Sequence, residues 1–160
     1  MNKSKTGKTI FLSTPITNAI NAKTGYLNTI IATRINMVAC YIQSKGFEVF
    51  LAIEREKWGM ELMSSEKCTP KDFEGLMSSH HLIVLLTDYI SEGTLIEIGW
   101  ASARNIPISI ICDKSIELSP LVKGLHTIGN NRIFSFDWSS NNETWKMIIN
   151  ERLQIGKVNK

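Results

Sequence analysis

Short apolar runs alternate along the chain with longer segments in which apolar residues recur every three or four positions. The runs at 9–13 and 82–86 are too short for helices and rich in strand-forming residues, so we predict buried strands there. The run at 82–86 is apolar on both faces, which is typical of a central strand. Apolar residues along one face predict a helix over 26–45, and Gly46 follows as its C-terminal glycine.

The rest of the chain continues the alternation. Further strands are predicted at 47–53, 107–112 and 132–136, and further helices at 94–104, 120–123 and 141–153. A helix is also predicted to begin at Thr69, where a capping threonine is followed by proline and, three residues on, by Asp72.

Five strands separated by helical segments indicate an α/β fold. We predict a doubly wound, flavodoxin- or Rossmann-like, five-stranded parallel sheet with helices on both faces, in a single domain over residues 1–160. Ligands of such sheets bind beyond the carboxyl ends of the strands. The loops of interest are therefore 13–25, 54–69, 87–94 and 113–120.

Composition narrows the function classes. Apolar residues make up 43% and charged residues 21%, the net charge is +3, and no basic stripe is interleaved with aromatics, which argues against a nucleic-acid partner. The longest apolar runs fall far short of the ~20 residues of a membrane span. The three cysteines lack metal-ligand spacing and fit reduced thiols in the cytoplasm. The first loop has neither a dinucleotide fingerprint nor a P-loop.

Glu97 is the most conspicuous candidate for chemistry. It stands between Ile96 and Ile98, and a carboxylate in apolar surroundings is costly unless it is paired or used. The alternative is structural: Thr94 and Glu97 have the spacing of a capping box, in which Glu97 only bonds backbone. Asp72 has the same ambiguity, because it lies three residues after Thr69.

Two carboxylates at one edge of the sheet suit the cleavage of an N-glycosidic bond. One attacks or stabilises the anomeric carbon, while the other binds the sugar or handles a proton. The hydroxyls of Ser13, Thr14 and Thr17 in the first loop are candidates to bind a ligand's sugar or phosphate. The two threonines equally fit a role in satisfying backbone groups of a turn.

The segment Gly93…Glu97-Ile98-Gly99-Trp100-Ala101 resembles the nucleophile motif of the nucleoside 2-deoxyribosyltransferase superfamily. The opening strand at 10–16, the Asp72 helix at 72–76 and the strand at 106–111 are similar to that family in the same order, over roughly residues 9–125. The resemblance implies that Glu97 takes the sugar from the base as a glycosyl-enzyme. It also implies that Asp72 contacts the sugar or assists the leaving base.

Two serines indicate a branch of this superfamily. The base-exchanging transferases carry an acid two residues before the motif glycine Gly93, where this chain has Ser91, as in the branch that hydrolyses nucleoside 5′-monophosphates. The segment from Ser119 to Gly124 resembles one in which the serine binds phosphate in a neighbouring subunit's site. Hydroxyls suit a dianionic phosphate that a carboxylate would repel. The first loop departs from the deoxynucleotide hydrolases, since it has Thr14 and Thr17 in place of a glycine and an arginine.

The sequence thus predicts an N-glycosidase that hydrolyses the base–sugar bond of a nucleoside 5′-monophosphate, with no cofactor and no metal. The expected assembly is a homodimer or higher homo-oligomer with shared sites, without a nucleic-acid or membrane partner. Three alternatives stay open: a deoxyribosyltransferase that exchanges bases, an NAD-cleaving effector, and a non-catalytic nucleotide-binding module.

Overall fold

The structure is a computed structural model that describes residues 6–16, 19–21, 23–140 and 143–155. The strands and helices are, in chain order, β1 (Thr9–Ser13), α1 (Thr29–Ser44), β2 (Glu48–Phe50), α2 (Ala52–Arg55), α3 (Ser65–Met77), β3 (His81–Leu86), α4 (Glu92–Ala103), β4 (Ile108–Asp113), α5 (Pro120–Lys123), β5 (Asn131–Phe136) and α6 (Thr144–Arg152). Short 3₁₀ turns occupy Lys57–Gly59 and Gly124–Thr127.

Within the described residues, five strands form one sheet in the order β2-β1-β3-β4-β5, and every neighbouring pair is parallel. The predicted doubly wound α/β fold is therefore confirmed. This is the flavodoxin-like order, whose chain direction across the sheet reverses between β1 and β3. The loops that follow β1, β2 and β3 meet at the carboxyl edge beside that reversal.

Strand side chains alternate between two apolar layers. Ile10 and Leu12 face the layer that holds α1 and α6, whereas Phe11 faces the layer that holds α3, α4 and α5. In β3 both sets are buried, as predicted for a central strand. The side chains of His81–Leu86 are thus covered on both faces of the sheet, and this fixes the position of the loop that follows β3.

Several element boundaries differ from the sequence-based prediction, and two of these differences bear on the site. The second strand ends at Phe50, because the apolar residues Leu51 and Ile53 are buried through the short helix α2 and not through an extended strand. The predicted helix start at Thr69 is wrong. Ser64 occupies the N-cap position of α3, and Pro70 lies inside that helix.

Among the described residues, no helix is long and apolar enough to cross a membrane. Cys40, Cys68 and Cys112 are all free.

Candidate active site

A cavity of about 460 Å³ opens at the carboxyl edge of the sheet, beside the reversal between β1 and β3. Four of its polar residues come from three different segments: Ser13 from the end of β1, Asp72 from α3, and Ser91 and Glu97 from the start of α4. Side chains more than eighty positions apart in sequence therefore line one space.

Glu97 accepts a short hydrogen bond on Oε2 from the hydroxyl of Ser13. Burial raises the pKa of Glu97 to about 7, the Ser13 hydrogen bond opposes this rise, and the nearby charge of Asp72 adds to it. A carboxyl group with a pKa near neutrality in a cavity is a frequent property of catalytic residues.

The capping-box interpretation of Glu97 is wrong. Helix α4 begins at Glu92 with Ser91 as its N-cap, and the Ser91 Oγ accepts from the backbone N–H of Thr94 at 3.2 Å. Thr94 is therefore the third residue of the helix and not its cap. Glu97 lies a turn further on, beyond reach of the free N–H groups at the helix start.

Asp72 is not a capping residue either, because it lies in the middle of α3. Its Oδ1 accepts a short hydrogen bond from Nη2 of Arg55, which sits at the end of α2. Burial raises the pKa of Asp72, and the positive charge of Arg55 opposes that rise. The cavity thus holds two carboxyl groups whose pKa values are both displaced upward, of which one has a cationic partner.

Two polar groups beside the carboxylates have unused hydrogen-bonding capacity. Thr14 Oγ1 is buried without a hydrogen-bond partner among the described residues, so it does not satisfy a turn. Arg55 Nε and Nη1 are likewise buried and unpartnered within the described part of the chain. Buried polar atoms of this kind are rare in folded proteins, and here they offer hydrogen-bonding groups next to the cavity.

The remaining predicted residues divide into three groups. Ser91 and Gly93 line the cavity at the N-terminal end of α4, where backbone N–H groups favour an anion. Ser119 does not line this cavity; it caps α5, and its Oγ accepts from the N–H of Val122. Thr17 lies outside the described residues.

Sequence reasoning missed Glu56. In sequence it belongs to an alternating charged run, Glu54-Arg55-Glu56-Lys57, that reads as a solvated face, yet Glu56 is only 8% exposed and lines the cavity. Its Oε1 accepts from the backbone N–H of Met63 at 3.3 Å. The available signal was its spacing: Glu56 lies three residues after the buried Ile53, on the same side of a helical turn.

Within the described residues, no group of three or more His, Cys, Asp or Glu side chains is arranged to hold a metal ion.

No protein-family model matches the sequence, and no curated protein matches it. Solved structures do match. The CMP N-glycosidase BcmB of Clostridium botulinum is 26% identical, with a TM-score of 0.66 over 90% of this chain and 98% of that one. BlsM is 24% identical, with a TM-score of 0.72 over 96% and 98%.

A 2-desoxiribosyltransferase from Leishmania mexicana aligns more loosely, at 15% identity and a TM-score of 0.47 over 66% of this chain and 64% of that one. BlsM supports the fold alone, whereas the match to BcmB extends along almost the whole of both chains at higher identity. The resemblance to the nucleoside 2-deoxyribosyltransferase superfamily that the sequence indicated is thereby confirmed.

Proposed function

We propose that the protein is a single-domain N-glycosidase that hydrolyses the base–sugar bond of a nucleoside 5′-monophosphate, with Glu97 as nucleophile. The observation that carries the proposal is the Ser13–Glu97 pair. It is a carboxyl group with a pKa of about 7, oriented by a hydroxyl, in a cavity that also holds Asp72. The similarity to a CMP N-glycosidase supports the same reaction class.

In the proposed reaction, an oxygen of the Glu97 carboxylate bonds to the anomeric carbon as the bond from that carbon to the base nitrogen breaks. The electron pair leaves with the base, which takes up a proton from solvent, while Asp72, paired with Arg55, contacts the sugar. Water then attacks the same carbon, gives up its proton to solvent and displaces Glu97, which releases the sugar phosphate.

The phosphate is proposed to sit at the start of α4. Ser91 and Gly93 line the cavity there, and the helix N-terminus and the serine hydroxyl both favour a dianion over a neutral group. Ser119 of a second subunit would complete this subsite in a homodimer. The free cysteines support a reducing compartment, and we propose the cytoplasm.

The decisive experiment compares the parent protein with Glu97→Gln on a panel of nucleoside 5′-monophosphates and their parent nucleosides, with free base measured by chromatography. An amide cannot form the glycosyl ester, so base release should fall by roughly a thousandfold or more. The parent protein should cleave nucleotides faster than nucleosides. A Glu97→Gln variant that releases base at the parental rate would exclude the nucleophile role.

Thermal melting of the same variant is the control for folding. The carboxyl group of Glu97 titrates near 4.5 when unfolded and about 7 when folded, so between these values the folded state binds more protons. Its contribution to the free energy of unfolding therefore falls as the pH rises through this window. Glu97→Gln removes that loss and should melt at a higher temperature than the parent at pH 8.

Base exchange is the competing activity of the same glycosyl-enzyme. Adding a second free base to the reaction separates the two, because a transferase forms a new nucleotide or nucleoside with it, whereas a hydrolase releases only sugar phosphate.

A further inference from the structure

Glu56 is a buried carboxylate without an ion-pair partner among the described residues. It is 8% exposed, and the cations next to it in sequence are engaged elsewhere: Arg55 with Asp72, and Lys57 with Glu61. A buried charge without a counter-ion is costly, so its presence needs a compensating interaction. Among the described residues, its side chain accepts a hydrogen bond from the N–H of Met63 on Oε1, which leaves the second oxygen available.

Glu56 reaches the cavity from a different segment than the reacting pair. It follows the edge strand β2 and helix α2, whereas Ser13 ends the neighbouring strand β1 and holds Glu97. Because Glu56 and Glu97 line one cavity from different segments, a base whose anomeric bond lies at Glu97 can extend within that cavity toward Glu56.

Apolar residues close to Glu56 in sequence line the same cavity. They are Leu51, Ile53, Leu62 and Met63, and such walls suit the faces of a planar ring. A carboxylate beside apolar walls recognises what the ring edge presents to it. Because an ionised carboxylate only accepts hydrogen bonds, it favours a donor and disfavours a carbonyl oxygen.

We propose that Glu56 selects bases that carry an exocyclic amino group at the ring end opposite the sugar, namely cytosine or adenine, over uracil, thymine or hypoxanthine. The proposal rests on the function proposed above for the same cavity. Cytosine and adenine present an amino donor at that ring end, where uracil, thymine and hypoxanthine present a carbonyl acceptor. A buried carboxylate that faces a carbonyl leaves two acceptors opposed and unpaired.

The test compares cytidine with uridine 5′-monophosphate, and adenosine with inosine 5′-monophosphate, in ribose and deoxyribose forms. The parent protein should favour the amino member of at least one pair by about a hundredfold in kcat/KM. Glu56→Gln keeps an oxygen for the N–H of Met63 but adds an amide donor. It should lower cleavage of the amino substrate, raise that of the carbonyl substrate and bring the ratio close to one.

Glu54→Gln is the matched control, because Glu54 lies on helix α2, two residues before Glu56, but is exposed. It should leave the substrate ratio unchanged. The proposal would be overturned if the parent protein cleaved both members of each pair equally, or if the Glu56→Gln variant kept the parental ratio. Glu56 would then only stabilise the loop at Met63.

Equilibrium binding measurements test the role of Glu56 independently of whether the protein is a glycosidase. Calorimetric titration of the same nucleotides into the Glu97→Gln variant, with and without Glu56→Gln, measures base preference without turnover. Preference for the amino base in binding, with no base released by the parent, would sustain the role of Glu56 and refute the glycosidase. Equal binding of the amino and carbonyl nucleotides would refute the role of Glu56.

Discussion

The proposed reaction requires Glu97 to lie inside the cavity and also to be ionised. Its burial there raises its pKa to about 7. The Ser13 hydroxyl donates to the carboxylate and works against that rise, since a hydrogen bond to the charged form favours it. In the proposed reaction, Ser13 is thus a positioning residue that acts through Glu97.

This balance predicts the pH dependence of base release. Attack needs ionised Glu97, so kcat/KM should rise about tenfold per pH unit below pH 7 and level off above it. Ser13→Ala removes the interaction that lowers the pKa of Glu97, so the rising limb should move to higher pH. The loss of activity should then be larger at pH 6 than at pH 9.

Ser78→Ala at the end of α3 is the control, since its hydroxyl donates to the backbone carbonyl oxygens of Glu74 and Gly75. The profile of this variant should coincide with that of the parent. A Ser13→Ala variant whose activity falls by the same factor at every pH would mean that Ser13 acts on the substrate and not through Glu97.

At the scale of elements, periodicity predicted the sheet but could not decide where helices start. Ser64 and Thr69 are both capping residue types, as are Ser91 and Thr94, and local spacing does not choose between them. Tertiary packing favours the earlier cap residue in each pair, so that α3 and α4 begin earlier and Asp72 and Glu97 lie inside the helices. The tertiary structure thus excludes the capping roles of Asp72 and Glu97 that the sequence had left open.

The ion pair between Arg55 and Asp72 could not be predicted from the sequence either. The two residues belong to different helices, and a charged run such as 54–57 is typical of a solvated surface. The residues of this run differ because helix α2 turns Glu56 toward the cavity, at the point where a strand had been predicted to continue. A strand continued through Ile53 would have pointed the side chains of residues 54–57 in other directions.

Close approach of α3 to β2 depends on Gly75. A Cβ atom at this buried glycine would collide with the ring of Phe50, which stacks on Phe11 at 4.8 Å between ring centroids. Arg55 in turn lies over the Phe50 ring at 5.1 Å. The site of Asp72 on α3, three residues before Gly75, is therefore fixed through one aromatic side chain.

We expect Gly75→Ala to lower the free energy of unfolding by roughly 1–3 kcal/mol, as overpacked cores do. Urea denaturation measures this cost, and base release should fall as well because Asp72 and Arg55 are displaced. Combining it with Phe50→Leu makes room for the methyl group, so the double variant should lose less than the sum of the single losses. Strictly additive losses would show that the ring does not limit the approach of α3.

At the scale of the whole molecule, Ser119 stands outside the cavity of its own chain. It caps α5 on the sheet face that also carries α3 and α4. Large apolar side chains are exposed on these three helices, with Phe73 at 42%, Ile96 at 51% and Leu121 at 86%. Exposed apolar side chains on one sheet face favour contact with another protein surface, which supports the proposed association of two copies.

A complementation experiment tests whether Ser119 serves the partner's site. Glu97→Gln and Ser119→Ala are each expected to lower base release, Glu97→Gln by roughly a thousandfold or more as argued above. In a mixed dimer, the Ser119→Ala chain keeps its own Glu97 and receives Ser119 from the Glu97→Gln chain, so one complete site is restored. With random exchange of subunits, about a quarter of all sites become complete. Mixing the two variants should therefore add about a quarter of the parental rate to the residual activity, and sedimentation should show a dimer. If Ser119 served its own chain, no mixture would contain a complete site, and the activity of the mixture would stay at the average of the two variants.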